Sequence, residues 1–254
     1  MFYLIGIGLS PNQITLEAKE AIKESKQVYI DNYTNKLSQG KIKDLEEIIN
    51  KKITILNREE LEQKKDYIKN NCCLLVIGNP LSATTHYTVI NDAKNNKLKV
   101  KVIPGISIFN YRGVSGLFEY KFGKTISIVY PVKNYFPTSY FNTIIENIKC
   151  KAHTLCLLDI KVDENRYMSI LEACEILEKI DDNKILKDKV IVGLGAMGSS
   201  TERVITFDFK NYKKIKIKEQ PQAMIICGKL NEYEKEAINE YRCYRILWKV
   251  QKTS

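Results

Sequence analysis

An apolar run at residues 72–77 (CCLLVI), followed by a Gly-Asn-Pro turn at 78–80, constrains the fold more than any other sequence feature. A short apolar stretch bounded by turn residues is typical of a strand buried on both faces, as in parallel sheets. The hydroxyls of Ser82, Thr84 and Thr85 follow, where they can cap a helix. Ligands of open α/β sheets bind beyond such strand ends. The segment is therefore either an ordinary β-to-α turn or part of a binding site.

The first hundred residues alternate strand-like runs with helical stripes. Strands are predicted at residues 3–9, 28–30, 53–56, 72–77 and 98–103. Helical spacing is seen in Ile14, Ala18, Ala21 and Ile22, and again in Ile42, Leu45, Ile48 and Ile49. Ser10 and Pro11 predict the start of the first helix. Repeated β-α-β units favour a parallel sheet with helices on both faces.

The second half has a different pattern, with glycines at 113, 116 and 123 that mark a hinge between two domains. Helices are predicted at 107–116, 137–149, 167–180 and 232–250, and strands at 125–130, 154–162, 190–194, 204–209 and 223–227. The last three strands have connections too short for a crossover helix, which favours antiparallel pairing. We therefore predict an α/β protein with an N-terminal parallel-sheet domain (1–112) and a C-terminal α/β domain with a mixed sheet (113–254).

The composition argues against a membrane protein, a disulfide-bonded protein and a metal-binding protein. No apolar run approaches the roughly 20 residues of a membrane span, and the first apolar stretch has no basic flank, so we expect a cytoplasmic protein with no membrane contact. Seven cysteines without a CxxC pair, and only two histidines, predict reduced thiols and no metal site.

The net charge of +10 raises the possibility of a nucleic-acid partner. Most lysines are dispersed, however, and no basic block is interleaved with aromatic residues. The sharpest cluster, residues 213–218 (KKIKIK), is interpreted as the solvent face or edge of a strand rather than an RNA groove. We therefore do not expect nucleic-acid binding.

Residues 193–198 (GLGAMG) match the G-x-G-x-x-G pattern of dinucleotide sites. That fingerprint requires a helix that opens at the turn, but here Ser199, Ser200 and Thr201 lead into a second strand-like run. Without a helix N-terminus facing it, a pyrophosphate lacks its usual binding group. A dinucleotide site is therefore disfavoured.

Four further strings occur in the order and spacing of one family: 2–10 (FYLIGIGLS), 103–110 (IPGISIFN), 153–162 (HTLCLLDIKV) and 221–230 (PQAMIICGKL). Together with ATTH at 83–86, they resemble the diphthine synthase branch of the tetrapyrrole-methylase-type methyltransferases, from Met1 to about Tyr241. The resemblance implies a homodimer in which S-adenosyl-L-methionine is held in the cleft between two α/β domains.

Eight cofactor contacts carry over from the family. Apolar walls are expected from Leu9, Ile108, Leu158 and Met197, and polar anchors from Asn79, Ser82, Ser107 and Gln222. Asn79 stands where the family has aspartate, Gln222 where it has histidine, and Pro104 where a polar residue is usual. The first change removes a negative charge near a cationic ligand, which would weaken cofactor binding.

The resemblance implies methylation of the modified histidine of translation elongation factor two in diphthamide biosynthesis, with diphthine or its methyl ester as product. Two alternatives stay open: a related methylase acting on rRNA or a tetrapyrrole, and a binding protein with a decayed cofactor pocket. Catalytic residues are not assigned. His86 and His153 could act as bases but are better explained as structural groups, and Asp159 and Lys161 could orient substrate or simply be solvated.

Overall fold

The computed structural model describes residues 1–33, 35–133 and 136–242. The N-terminal half contains one parallel sheet in the order β3-β2-β4-β1-β5. Its strands are β1 (Phe2–Gly6), β2 (Gln27–Asp31), β3 (Thr54–Leu56), β4 (Cys72–Val76) and β5 (Val100–Ile103). Its helices are α1 (Leu16–Glu24), α2 (Ile42–Ile49) and α3 (Tyr87–Asn95).

Helices cover both faces of this sheet. Ala18 and Ile22 of α1 and Leu45 of α2 pack on one apolar cluster, while Val89 and Ile90 of α3 pack on another. The completely buried strands explain why their sequences are continuous apolar runs rather than alternating ones. The five predicted strands are therefore confirmed, with ends displaced by no more than three residues.

The C-terminal half contains a mixed sheet in the order β11-β10-β12-β7-β6. Its strands are β6 (Ile126–Ile128), β7 (Thr154–Leu158), β10 (Val190–Gly195), β11 (Arg203–Asp208) and β12 (Gln222–Ile226). Only the β6–β7 pair is parallel; the other pairs are antiparallel, as predicted. A hairpin follows β7, formed by β8 (Ile160–Lys161) and β9 (Arg166–Tyr167), and the helices are α4 (Ser139–Lys149), α5 (Ile170–Ile180) and α6 (Glu232–Asn239).

The two-sheet α/β architecture is confirmed, but several local predictions were wrong. Pro11 starts a separate 3₁₀ turn, and α1 begins later, capped by Thr15, whose hydroxyl accepts from the Ala18 N–H at 3.1 Å. The short helix predicted at 107–116 is present, as a 3₁₀ helix (Ile108–Ser115) with Ser107 as its N-cap. The predicted strand 154–162 is interrupted at Asp159, where β7 ends and the hairpin begins.

The lysine alternation at 213–218 does not form a strand edge. A 3₁₀ segment, Phe209–Lys214, ends there, and extended backbone outside any strand follows. Ile215 is buried and Ile217 packs against the core, so the alternation reflects anchoring isoleucines between solvated lysines. The final helix was predicted to reach residue 250; α6 ends at Asn239, and residues 243–250 lie outside the described residues.

Within the described residues, no helix is both long and apolar enough to cross a bilayer. The cysteines of that part of the chain are free thiols, and five of the six are buried. Burial raises the pKa of the Cys73 thiol to about 12, which makes it an unreactive core group.

A buried polar cluster joins α6 to the start of β7. The carboxylate of Glu234 accepts from His153 Nε2 at 2.9 Å and from the ammonium of Lys121, while His153 Nδ1 accepts from the Gly228 N–H at 3.0 Å. Burial raises the pKa of Glu234, but the hydrogen bonds from Lys121, Asn231, Phe118 and His153 outweigh it and hold the pKa at about 2. Burial lowers the pKa of His153, so its ring is neutral in the fold.

This cluster predicts acid-sensitive stability. Both folded-state pKa values lie below the ordinary values of 6.5 and 4.5, so the unfolded chain takes up protons first as the pH falls. The contribution of this cluster to the free energy of unfolding is therefore complete above about pH 6.5. As the pH falls, it is lost first because His153 is protonated and then, below pH 4.5, because Glu234 is protonated. Glu234→Gln should lower the free energy of unfolding at pH 7 by about 3 kcal/mol and remove the loss below pH 4.5.

Urea unfolding followed by circular dichroism at several pH values measures the free energy of unfolding of Glu234→Gln and of the unchanged protein. Glu232→Gln is the matched control, because Glu232 lies on the same helix, is 86% exposed and, among the described residues, pairs only with Lys235. It should change stability by no more than about 0.5 kcal/mol. An equal change in the free energy of unfolding in Glu232→Gln and Glu234→Gln would contradict the role assigned to Glu234.

Candidate functional site

The ends of the three parallel strands β1, β4 and β5 lie side by side at Gly6, Gly78 and Gly105. A Cβ on Gly6 would lie 2.5 Å from the backbone nitrogen of Gly105 and 2.6 Å from the carbonyl oxygen of Gly78. A Cβ on Gly105 would lie 2.6 Å from the carbonyl carbon of Gly6. Gly78 also donates its N–H to the carbonyl of Gly8 at 2.8 Å. The strand ends β1, β4 and β5 therefore meet through bare backbone, which leaves room above them.

A cavity of about 350 Å³ opens above these strand ends. One wall comes from loops that follow β1, β2, β4 and β5, and the other from the ends of β6 and β7, the turn after β10 and the start of β12. Its size lies within the range of small-molecule pockets. The position beyond the carboxyl ends of parallel strands is the one expected for a ligand.

The two halves of the chain meet directly at the rim of this cavity. Gln13 accepts from the Leu9 N–H at 2.8 Å and donates to the Tyr111 hydroxyl at 2.6 Å. The turn after β10 packs on the same residues, since a Cβ at Gly198 would lie 2.7 Å from Gln13 Nε2 and 3.2 Å from Leu9 Cβ. The Ser200 N–H also donates to Gln39 Oε1 at 2.6 Å. These contacts fix Leu9 and the turn after β10 relative to each other.

The structure brings all eight sequence-predicted residues together around the cavity. The apolar members are Leu9, Ile108, Leu158 and Met197, and the polar members are Asn79, Ser82, Ser107 and Gln222. They come from six separate segments of the chain. Their role as cofactor contacts stays a prediction.

Two of these polar side chains are partly engaged by the protein itself. Gln222 Oε1 accepts from the Ile170 N–H at 2.8 Å, and its Nε2 donates to the Ile217 carbonyl at 3.3 Å. Gln222 thus holds the start of α5 and has one amide hydrogen left for a ligand. Asn79 Oδ1 accepts from the Leu81 N–H at 3.0 Å, and no described residue accepts from its Nδ2. The Asn79 amide can therefore donate into the cavity.

Sequence reasoning did not identify the part of the cavity lining that follows β2 or the part at the end of β6. Asn35 and Ser38 line the cavity after β2, and Ser127 and Val129 line it at the end of β6. The hydroxyl of Ser38 is buried, and no described residue hydrogen-bonds to it. Buried polar atoms in native proteins nearly always have a partner, so this hydroxyl fits a site that receives a polar ligand. The rule that ligands bind beyond parallel strand ends could have indicated this loop.

Neither histidine lines the cavity. His86 is buried at the start of α3, where Nε2 lies 2.9 Å from Asp31 Oδ2 and Nδ1 contacts the Thr84 hydroxyl. Both of its ring nitrogens are therefore held by protein groups. His153 is held in the same way by Glu234 and Gly228. Both histidines have the structural roles that the sequence favoured.

The other residues that the sequence singled out differ in whether they line the cavity. Asp159 lines the cavity, whereas Lys161 lies outside the lining and pairs with Glu164 at 2.9 Å. Met197 also lines the cavity, from the turn that follows β10, and this turn leads into β11 rather than a helix, as expected. Among the described residues, no group of three or more His, Cys, Asp or Glu side chains could hold a metal ion.

Comparisons with known proteins agree with this geometry. Residues 1–210 match the family Tetrapyrrole (Corrin/Porphyrin) Methylases. A diphthine synthase from Staphylothermus marinus is 37% identical over 96% of this chain and 94% of its own length. A diphthine methyl ester synthase from Candida glabrata is 34% identical over 95% of this chain and 90% of its own length.

A solved structure resembles this chain over nearly its whole length. The crystal structure of a diphthine synthase superimposes with a TM-score of 0.85 at 30% identity, covering 95% of this chain and 96% of that one. This likeness includes both sheets, since it extends over nearly all of both chains. The chain therefore belongs to the diphthine synthase branch of the tetrapyrrole methylase family, and it is a methyltransferase.

Proposed function

We propose that this protein transfers methyl groups from S-adenosyl-L-methionine to the modified histidine of translation elongation factor two, in diphthamide biosynthesis. The observation that carries the proposal is that eight residues from six distant segments line one cavity, in a chain whose relatives are diphthine synthases and diphthine methyl ester synthases. A cytoplasmic homodimer and a domain boundary near residue 112 belong to the same proposal.

The lining residues suit this donor. S-adenosylmethionine has an adenine, a ribose and an amino-acid end, and it supplies a methyl group on a sulfonium sulfur. Leu9, Ile108 and Met197 offer apolar surface to the flat ring. The Asn79 amide and the Ser38 hydroxyl, which no described residue bonds, offer hydrogen bonds to ribose hydroxyls or to the amino-acid end.

The chain's own contribution to methyl transfer is mainly one of position. The leaving group already carries positive charge, so its departure needs no acid. The two walls must align the acceptor with the methyl carbon and exclude water, which lowers the barrier by several kcal/mol. Leu158 and Met197, from different segments of the second half, are buried and give the cavity apolar surface on that side.

Asn79 provides the first test of cofactor binding. Asn79→Asp restores the acidic residue of the family and places a negative charge beside a cationic ligand. We expect S-adenosylmethionine to bind about fivefold more tightly, on the order of 1 kcal/mol, with the gain shrinking at high salt. Isothermal calorimetry measures this, and S-adenosylhomocysteine, whose sulfur is neutral, should gain less. If Asn79→Asp bound S-adenosylmethionine with unchanged or lower affinity, the proposed position of residue 79 beside the cationic ligand would be contradicted.

The function itself is tested by methyl transfer. Purified protein with labelled S-adenosylmethionine should label elongation factor two that carries the unmethylated side chain, and mass spectrometry then counts the methyl groups. Label on rRNA instead would identify a related methylase, and absence of binding heat with a folded protein would identify a decayed pocket.

A matched pair of variants ties that activity to the cavity. Ser82→Trp fills the cavity and should reduce cofactor affinity and transfer by about a hundredfold, since a large side chain cannot share a packed site. Leu81→Trp is the control, because Leu81 is 47% exposed on the same loop and lies outside the lining. Cofactor affinity should be unchanged in the control. Equal affinity in both variants would exclude this cavity as the donor site.

A further inference from the structure

Ala83, in the loop between β4 and α3 (residues 77–86), has a left-handed backbone, which is unusual for a residue with a side chain. Its φ is +54°, and among the described residues it is the one non-glycine of the cavity lining with such an angle. This conformation is unfavourable for alanine, because the Cβ comes close to the following carbonyl oxygen. Strained backbone persists only where neighbouring contacts hold it, and it is concentrated at ligand sites. The contacts that hold this loop therefore bear on how the cavity is built.

A series of hydrogen bonds begins at the residue after Ala83 and ends in the parallel sheet. The Thr84 hydroxyl contacts His86 Nδ1, and its oxygen accepts from the His86 N–H at 3.4 Å. His86 Nε2 lies 2.9 Å from Asp31 Oδ2. A carboxylate can only accept, so Nε2 carries the hydrogen and Nδ1 accepts from the Thr84 hydroxyl. These three side chains form the Thr84–His86–Asp31 network.

The Asp31 end of the network belongs to the rigid sheet. Asp31 is the last residue of β2, is completely buried and pairs in register with Val76 of β4. Its Oδ1 accepts from the Tyr33 N–H at 2.9 Å, at the start of the loop that lines the cavity with Asn35 and Ser38. The network therefore joins the loop after β4 both to the sheet and to the loop after β2.

The network lies behind the cavity lining. None of its three members lines the cavity, whereas Asn79, Ser82 and Ala83 of the same loop do. Two other hydrogen bonds join residues within the loop: the Ser82 N–H donates to the Asn79 carbonyl at 3.2 Å, and the Leu81 N–H donates to Asn79 Oδ1 at 3.0 Å. The bond to Asp31 is different, because it fixes the far end of the loop to the sheet.

We propose that the Thr84–His86–Asp31 network positions the loop after β4 for the methyl donor, by holding Ala83 in its strained conformation. The inference rests on the proposed function, in which polar residues of this loop contact the donor. Without the network, the free loop relaxes and the ligand has to restore the strained form as it binds. The apparent dissociation constant then rises as the competent form becomes rarer, while the bound complex stays the same.

Thr84→Val tests this, because valine has the shape of threonine and lacks the hydroxyl that bonds to His86. We expect the Kd of S-adenosylhomocysteine, measured by calorimetry, and the KM for S-adenosylmethionine to rise about tenfold, with kcat unchanged at saturating donor. Thr84→Ser keeps the hydroxyl and should bind as the unchanged protein does. Thr85→Val is the matched control, since Thr85 is exposed, lies outside the lining and has no part in the network.

Ala83→Gly measures the contribution of the strain. Glycine adopts a left-handed backbone readily, so in the Thr84→Val background it should recover about threefold of the lost affinity. In the unchanged protein the network already holds the loop, so the same substitution should alter the affinity much less. A residue that only stabilised the fold would not show this dependence on Ala83.

Hydrogen exchange of residues 79–86, followed by mass spectrometry, gives a readout that needs no ligand. Amide exchange there should be about tenfold faster in Thr84→Val than in Thr85→Val, with exchange in β4 unchanged. Equal exchange in the two variants would overturn the inference, whatever the activity of the protein.

The binding outcomes separate the inference from the proposed function. If the unchanged protein binds S-adenosylhomocysteine and Thr84→Val binds it equally tightly, the inference is overturned and the proposed function stands. A fall in kcat without a rise in KM would also overturn the inference, since the bound complex would then be altered. If the unchanged protein bound no S-adenosylhomocysteine and left elongation factor two unlabelled, both would be overturned.

Discussion

The site depends on the contact between three strand ends at Gly6, Gly78 and Gly105. Their backbones approach so closely that a single Cβ at Gly6 or Gly105 would collide with a neighbouring strand. Side chains at Gly6 or Gly105 would push the strand ends apart, while Gly78 has a φ of +85°, which favours glycine. Bare backbone instead lets the three strand ends pack together, and Gly78, which follows β4, lines the cavity.

The second half of the chain completes the cavity. Leu158 from β7, Met197 from the turn after β10 and Gln222 from β12 lie opposite the loops of the first sheet. The mixed sheet can supply them because β7 and β10 end at the cavity, where β12 begins. Each half also has its own apolar core, so the wall residues stand on rigid strands.

Much of the fold could be predicted from the sequence, because strands buried on both faces require continuous apolar runs such as residues 72–77. The eight lining residues were predicted from family motifs, not from periodicity. Local rules failed where packing decided between equivalent signals: Ser10 and Thr15 are both good helix caps, but Pro11 is buried in its own 3₁₀ turn. The loop with Asn35 and Ser38 has no periodic pattern, so only its position after the parallel strand β2 could have indicated its place at the cavity.

The central claim is that one cavity between the two sheets holds the methyl donor. A crystal structure of the protein with S-adenosylhomocysteine tests it most directly. The account predicts ligand density above Gly78 and Gly105, in contact with Leu9, Ser107 and Met197. Ligand density at any other surface, with this cavity filled only by water, would contradict it.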